Sequence, residues 1–331
     1  MTVAEPPIGH GAKSPEVVGT GRYDARPSRS VVMLGVGDPV GRRVTRALIA
    51  SGHTVTVAGF DNGVLKPFRE SCQVIDVDDP EALRTAVASH DAVVNLEPVI
   101  GEPRSALGTL LDRPARRRRA RQLTELTHAF AGASAARWIQ RSTPALYCDG
   151  GNRWLDEDWP TAVNAATEHA HCAEHAVNQH RQRGGDGVVL RLGRPYGPDD
   201  PWAQKILRLA RRGWQPFDGP DSAFVPTIAV ADAASAVLAA LEAPSGTYNV
   251  ADPIPTTNRD LNDIAASIAG RRQLHPLYRA LSPAHQDLVR RSHCLDVSAF
   301  KNATGWNARF DPSVLAFVPS TGALTRLEST R

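Results

Sequence analysis

The stretch "SVVMLGVGDPVGRRVTRALIASGHTVTVAGF", residues 30–60, constrains the fold of this chain more than any other. An apolar run ends in glycines, a segment with apolar residues at helical spacing follows and stops at Gly52, and an alternating β-rich run comes next. Further β-rich runs recur as "CQVIDV", "DAVVNL", "RWIQRST" and "GVVLRL", with helical stretches beginning near Pro80, Gln122 and Ala162. Strands alternating with helices predict an α/β fold, a Rossmann-type doubly wound parallel sheet. Such sheets bind ligands at the carboxyl ends of their strands.

The turn "GVGDPVG" then sits where the pyrophosphate of a dinucleotide would lie. Glycines there let the backbone turn sharply, approach phosphates closely and aim helix N-terminal amides at them. Gly35, Gly37 and Gly41 supply them, with Pro39, Val40 and Arg42 beside them. Asp38 runs against the pattern, because it puts a carboxylate where the middle glycine of a G-x-x-G-x-x-G reading would be. Repulsion from a pyrophosphate costs about 1 kcal/mol at high dielectric and more where water is excluded.

At 331 residues and 42% hydrophobic, the chain is long enough for one large domain or two modest ones. No apolar run approaches bilayer-spanning length, and the opening residues lack the apolar core of a secretory signal, so a cytoplasmic protein with no membrane partner is expected. Residues 1–29 are rich in Pro, Gly, Ser and charge without a hydrophobic period, and are expected to be a disordered tail. The four cysteines, Cys72, Cys148, Cys172 and Cys294, have no paired spacing, which argues against a disulfide framework or a cysteine zinc knuckle. A net charge of +3 is too small to imply a nucleic-acid partner.

From residue 30 onward the chain resembles the NAD-dependent epimerase/dehydratase family, the extended short-chain dehydrogenases. The likeness is carried by "DVDDPEALRTAVASHDAVVNLEP", "RWIQRSTPALYCDGGNRWLDEDWP", "VVLRLGRPYGPDDPW", "FVPTIAVADAASAVLAALEAPSGTYNVAD", "NRDLNDIAASIAG" and "TGWNARFD", in that order. The resemblance implies a Rossmann domain over residues 30–190 that binds NAD or NADP, and a smaller, discontinuous substrate domain over 191–331, with about 225–251 returning to the first domain. It also implies a homodimer and a small-molecule substrate, often a nucleotide sugar. Asp76 and Val77 fall where the family contacts adenine, Leu96 and Glu97 fall beside the cofactor, and Pro195 joins this set. An acidic ribose ligand is missing at the end of the second strand, where Gly59 stands, although Asp61 follows. Arg42 and Arg43 would suit a 2′-phosphate, so NAD and NADP both stay open.

The family's catalytic Tyr-x-x-x-Lys lies on the helix after the fifth strand, with a Glu four residues beyond the Lys. With Glu174 in that place, the tyrosine and lysine positions become Ala166 and Ala170. A tyrosine of pKa near 10 serves as a base at neutral pH only if a neighbouring cation stabilises its phenolate. Two alanines do neither, and Thr143, at the family's Ser/Thr position, offers a hydroxyl that is not itself a base. His169, Glu174, Tyr147 and Tyr196 are the candidate substitutes. The expectation is a divergent member that holds its cofactor weakly, or a non-catalytic relative that binds a metabolite and regulates or scaffolds a partner.

Two motifs compete with this reading. His171-Cys172-Ala173-Glu174-His175 spells H-x-x-E-H, an inverted zinc-peptidase signature, with Glu168 near the same side. That side points away from the cofactor face, toward the dimer contact implied by the family, without the enclosed cleft of a catalytic zinc. The run "RPARRRRAR", residues 113–121, is expected to be a solvated loop and helix start, with an anionic substrate or partner as the alternative; nucleic acid is disfavoured, since no aromatic residues interleave its arginines. The helix should therefore be metal-free: elemental analysis of purified protein should find no stoichiometric zinc, and one zinc per chain lost in the His171→Ala/His175→Ala variant would restore the metal reading.

Overall fold

A computed structural model describes residues 28–59, 62–99, 113–131, 136–197, 200–272, 274–275 and 281–310. The expected tail over residues 1–29 falls almost wholly outside them, as does Asp61. Seven parallel strands form the main sheet: β1 (Ser30–Leu34), β2 (Thr54–Gly59), β3 (Gln73–Asp76), β4 (Ala92–Asn95), β5 (Arg137–Ser142), β7 (Gly187–Leu192) and β10 (Gly246–Val250). Their spatial order is β10-β7-β5-β4-β1-β2-β3. The chain leaves β1 toward β2 and β3 and then crosses back to β4, so the switch point opens between the carboxyl ends of β1 and β4. β6 (Trp154–Leu155) pairs with β11 (Cys294–Leu295), and β8 (Arg194–Tyr196) with β9 (Thr227–Ala229).

Both faces of the sheet are covered. Val31 and Met33 of β1 face one core with Val40, Val44 and Leu48 of helix α1 (Pro39–Ala50), one residue per turn. Val32 and Leu34 alternate to the other face, where they meet Leu83 and Val87 of α3 (Pro80–Ser89), Leu123 and Leu126 of α4 (Arg113–Ala131), and Ala173 and Val177 of α5 (Glu168–Gln182). A single turn, α2 (Asn62–Leu65), follows β2. A third core unites α6 (Pro201–Arg211) and α8 (Asn258–Ile268) with Tyr196 and Phe217. Helix α7 (Val230–Ala240) packs on α1, and α9 (Pro283–Arg290) and α10 (Ser298–Thr304) complete the described helices.

Helix starts follow a repeated local rule. Asp38, Asp79 and Asp200 each cap a helix whose first residue is proline, because the carboxylate accepts an orphan first-turn N–H and the ring tolerates the missing donor. Two expected starts move. α4 begins at Arg113 rather than near Gln122, so the arginine run is helical; Ala and Arg are both strong helix formers. α5 begins at Glu168 rather than near Ala162, because the Asn164 side chain accepts the Ala166 N–H at 2.8 Å and holds residues 164–167 in a turn.

Trp138 of β5 is fully buried and stacks on Phe130 with ring centroids 4.3 Å apart. Truncating it removes the largest side chain of that core: Trp138→Ala should cost about 3–5 kcal/mol, read as a lowered urea midpoint with an unchanged slope.

Candidate functional site

Backbone crowding builds the floor of the cleft. Gly35 has φ +84°, and a Cβ on it would lie 2.4 Å from the Leu96 carbonyl carbon; one on Gly41 would lie 2.1 Å from the Gly35 oxygen. Both positions require glycine so that the β1 turn, the end of β4 and the start of α1 can touch. Gly37 is different: it is exposed, and a Cβ there would meet only the Val64 side chain at 3.4 Å. Arg42, expected beside a cofactor, donates to the Gly37 carbonyl at 2.6 Å.

Asp38 stands at the centre of this turn. Its Oδ1 accepts the Val40 N–H at 2.9 Å, and its Oδ2 lies 3.2 Å from Nη1 of Arg141, which comes from the carboxyl end of β5. The same Nη1 donates to the Leu96 carbonyl at 3.3 Å. The two side chains are only 15% and 10% exposed, so this is a shielded ion pair spanning the switch point. Asp200, the cap of α6, has its carboxyl pushed up by burial and further by the charge of Asp38, against the pull of Arg194.

The positions expected to touch adenine and ribose lie at the carboxyl ends of β2 and β3. Asp76 is exposed and accepts the Asp78 N–H at 2.9 Å, while Val77 is buried. Gly59 pairs in register with Asp76, and a Cβ at Gly59 would lie 2.9 Å from Leu65, which leaves no room for an acidic side chain without a shift of Leu65. Leu96 is buried, Glu97 is half-buried with its N–H on Asn95 Oδ1 at 3.2 Å, and Pro195 is buried at the neighbouring cavity.

That cavity measures about 260 Å³ and lies between the sheet and the third core, near the lower end of small-molecule sites. Arg141, Thr143, Arg194, Trp202, Phe217 and His285 are among its walls. The Arg194 guanidinium lies 4.6 Å above the Trp202 ring, a cation–π contact at the mouth. Thr143 is half-buried, and its hydroxyl accepts the Ala145 N–H at 3.2 Å, capping the turn Pro144–Leu146.

The four candidate bases are not gathered at this cavity. Both carboxylate oxygens of Glu174 are held by Arg191, at 2.9 Å to Nε and 2.7 Å to Nη2, and Ser142 donates to the same carboxylate at 2.5 Å. Glu174 is therefore a buried, fully engaged anion rather than a surface charge or a free base. Tyr147 is fully buried, donates to Asn249 Oδ1 at 2.8 Å, and burial pushes its phenol up to about 12 against the nearby Arg191. Tyr196 is fully buried with its hydroxyl turned to Asp252, a carboxyl that burial pushes up to about 7. His169 is half-buried in the first turn of α5 and is not among the described walls of the cavity. Ala170 packs fully buried against Val99 and Leu146, and Ala166 lies ahead of the helix rather than on it. The two alanines thus do not share one helical face.

Several of these groups escaped the sequence reading. Arg191 interrupts an apolar parallel strand, which is the signal that a buried counter-ion waits elsewhere in the chain, whereas Arg141 lies in a strand already rich in polar residues and carries no such signal. Arg291 donates to the carbonyls of Ala145, Tyr147 and Ala162 at 3.2, 3.1 and 2.8 Å, and buried His293, pushed down to about 4 by burial, faces the Tyr147 carbonyl. On the outer face of α5, His171, Cys172 and His175 are exposed, and among the described residues no group of three or more His, Cys, Asp or Glu is placed to hold a metal ion. In the basic run, Arg121 reaches Asp78 at 3.6 Å. Among the described residues no helix is long and apolar enough to cross a membrane.

Residues 31–251 match the NAD dependent epimerase/dehydratase family. Solved structures share the fold at low identity. A UDP-glucuronic acid 4-epimerase variant from Bacillus cereus, in complex with NAD and a fluorinated UDP-glucuronic acid, has a TM-score of 0.73 at 16% identity, covering 90% of this chain and 99% of that one. The dTDP-glucose 4,6-dehydratase of Bacillus anthracis, in complex with NAD, has a TM-score of 0.70 at 13% identity, covering 92% and 98%. WbmG of Bordetella bronchiseptica, in complex with NAD and UDP, has a TM-score of 0.67 at 18% identity, covering 93% and 96%. No curated protein matches the sequence.

Removing the Glu174 charge alone would leave Arg191 buried without its partner. Glu174→Gln should therefore cost about 3–5 kcal/mol in denaturant unfolding, while a surface control such as Glu81→Gln should stay within about 0.5 kcal/mol.

Proposed function

The chain belongs to the NAD dependent epimerase/dehydratase family, and we propose that it is a divergent member that binds a small metabolite in the cavity beside its cofactor cleft without running the family's redox cycle. The observation that carries this reading is the fate of the candidate bases. Glu174 is locked to Arg191, Tyr147 to Asn249, and Tyr196 is turned to Asp252. Thr143 remains at the cavity wall as a hydroxyl able to orient a substrate oxygen.

NAD is the family's cofactor, and the cleft meets it unevenly. The β1–α1 turn carries the glycines a dinucleotide turn needs at Gly35 and Gly41, which let the backbone of β1, β4 and α1 close up. The central part does not fit, because Asp38 occupies the helix N-terminus and Arg141. The nicotinamide side does not fit either: in place of a ribose-holding lysine, Ala170 packs with Val99 and Leu146. Weak binding of NAD or NADP follows, and no chemical step is assigned to it. The ligand class favoured for the cavity is a nucleotide sugar or a similar small metabolite, supported by the family and by Arg194 and Trp202 at the mouth. We assign residues 30–190 with the return at about 225–251 to the dinucleotide-binding domain and the remainder of 191–331 to the substrate domain. The exposed outer face of α5 is assigned to a homodimer contact.

Positioned general-base catalysis typically supplies a factor of about 10² to 10⁴, and this site lacks it. Calorimetry should show NAD(H) or NADP(H) binding at micromolar or poorer affinity, with no nicotinamide absorbance change on adding common nucleotide sugars. Ala166→Tyr/Ala170→Lys should restore little, since the new lysine would be buried among apolar side chains. Robust wild-type turnover abolished by changing His169 would instead show an enzyme with a relocated base.

A further inference from the structure

We propose that the Asp38–Arg141 pair is an internal latch across the cofactor cleft, in which the Asp38 carboxylate stands in for a ligand's pyrophosphate. This rests on the reading that the cleft takes a dinucleotide, and it adds what holds that affinity down. A helix N-terminus at a strand-to-helix turn attracts an anion because its first N–H groups are unpaired and its dipole end is positive. In this chain that anion is already present. One Asp38 oxygen takes the Val40 N–H and the other faces Arg141, so the donor and the cation that a diphosphate would use there are both occupied.

The latch also crosses the cleft physically. It runs from the β1–α1 turn to the end of β5, and Arg141 is tied to the Leu96 carbonyl at the end of β4. These three strand ends meet at the switch point, where the Gly35 and Gly41 contacts leave no slack for the turn to retreat. A bound diphosphate must therefore displace Asp38 from Arg141 while lying close to its carboxylate, with the Asp200 carboxyl adding to the same field. With both partners at 15% exposure or less, solvent screens this repulsion poorly. Arg141 has a second aspect, since it also lines the metabolite cavity. It is a positioning residue shared by the two sites.

Asp38→Gly and Asp38→Asn test this, because Gly and Asn are both accepted at a helix N-cap and Asn keeps the capping oxygen. Calorimetry with NAD, ADP and adenosine reads the result, after thermal unfolding has shown each variant folded. Both variants should bind NAD and ADP on the order of tenfold tighter than wild type, with adenosine unchanged. The gain should depend only weakly on added salt, because the pair is shielded. Asp38→Gly/Arg141→Gln should lose most of it, because the freed guanidinium is then missing. The latch is overturned if neither variant binds NAD or ADP more tightly, if adenosine gains equally, or if the gain survives Arg141→Gln in full. A wild type that binds no dinucleotide at millimolar concentration, beside an Asp38→Gly variant that does, supports the latch and overturns the weak-cofactor reading of the natural chain.

Discussion

Everything at the centre of this molecule depends on backbone touching backbone where β1 turns into α1. Gly35 lies against the end of β4, and Gly41 lies against Gly35 itself. No side chain can enter either contact, so the first turn of α1 is pinned over the switch point. That pinning places Asp38 at the meeting point of three strand ends. In an ordinary dinucleotide fold the same closeness lets a ligand's phosphates approach the main chain; here it presses a carboxylate into that space.

Among the described residues, two shielded ion pairs differ in character. Arg191 meets Glu174 through two hydrogen bonds, with Ser142 adding a third to the carboxylate and the Tyr147 ring 4.6 Å from the guanidinium. Such saturation is what makes a desolvated pair tolerable. Arg141 meets Asp38 through one guanidinium nitrogen, which also serves a backbone carbonyl. The first pair fixes α5 to β7 and belongs to the architecture. The second joins elements across the switch point, and its bonds are the kind another anion can take.

The sheet was legible because β1, β4 and most of β7 are apolar runs, and because β1 and β3 each lead into a helix with its own apolar stripe. The start of helix α3 was readable, since Asp79 and Pro80 are local signals. α5 was not, because a single Asn164 side chain captures the Ala166 amide and delays the helix past the expected start. The site was legible only as a set of positions. Glycines, Asp38 and the two alanines can be counted along the chain, but counting does not reveal partners. Tyr147 and Asn249 are 102 residues apart, and Arg141 reaches an aspartate on another strand's turn. Reactivity at these tyrosines and carboxylates is decided by long-range pairing, and nothing local in "RWIQRST" announces it, while "GVVLRL" offers only a charge inside an apolar strand.

One feature of the topology bears on motion. The chain leaves the sheet after β7 and re-enters at β10, and these two strands are direct neighbours, with Leu192 in register with Val250 and the Gly193 N–H on the Val250 carbonyl at 2.8 Å. The excursion between them carries Arg194, Trp202 and Phe217, which form one side of the cavity. Because the two strands are parallel, the chain leaves beyond Leu192 at their carboxyl end and returns at Gly246 at the other, so it must cross the sheet face on the way, and α7 makes that crossing packed on α1. The excursion is thus anchored through its middle as well as at its ends: Ala233, Ala236 and Val237 of α7 sit in the core of the sheet, and the cavity wall that precedes them in the chain is braced from within.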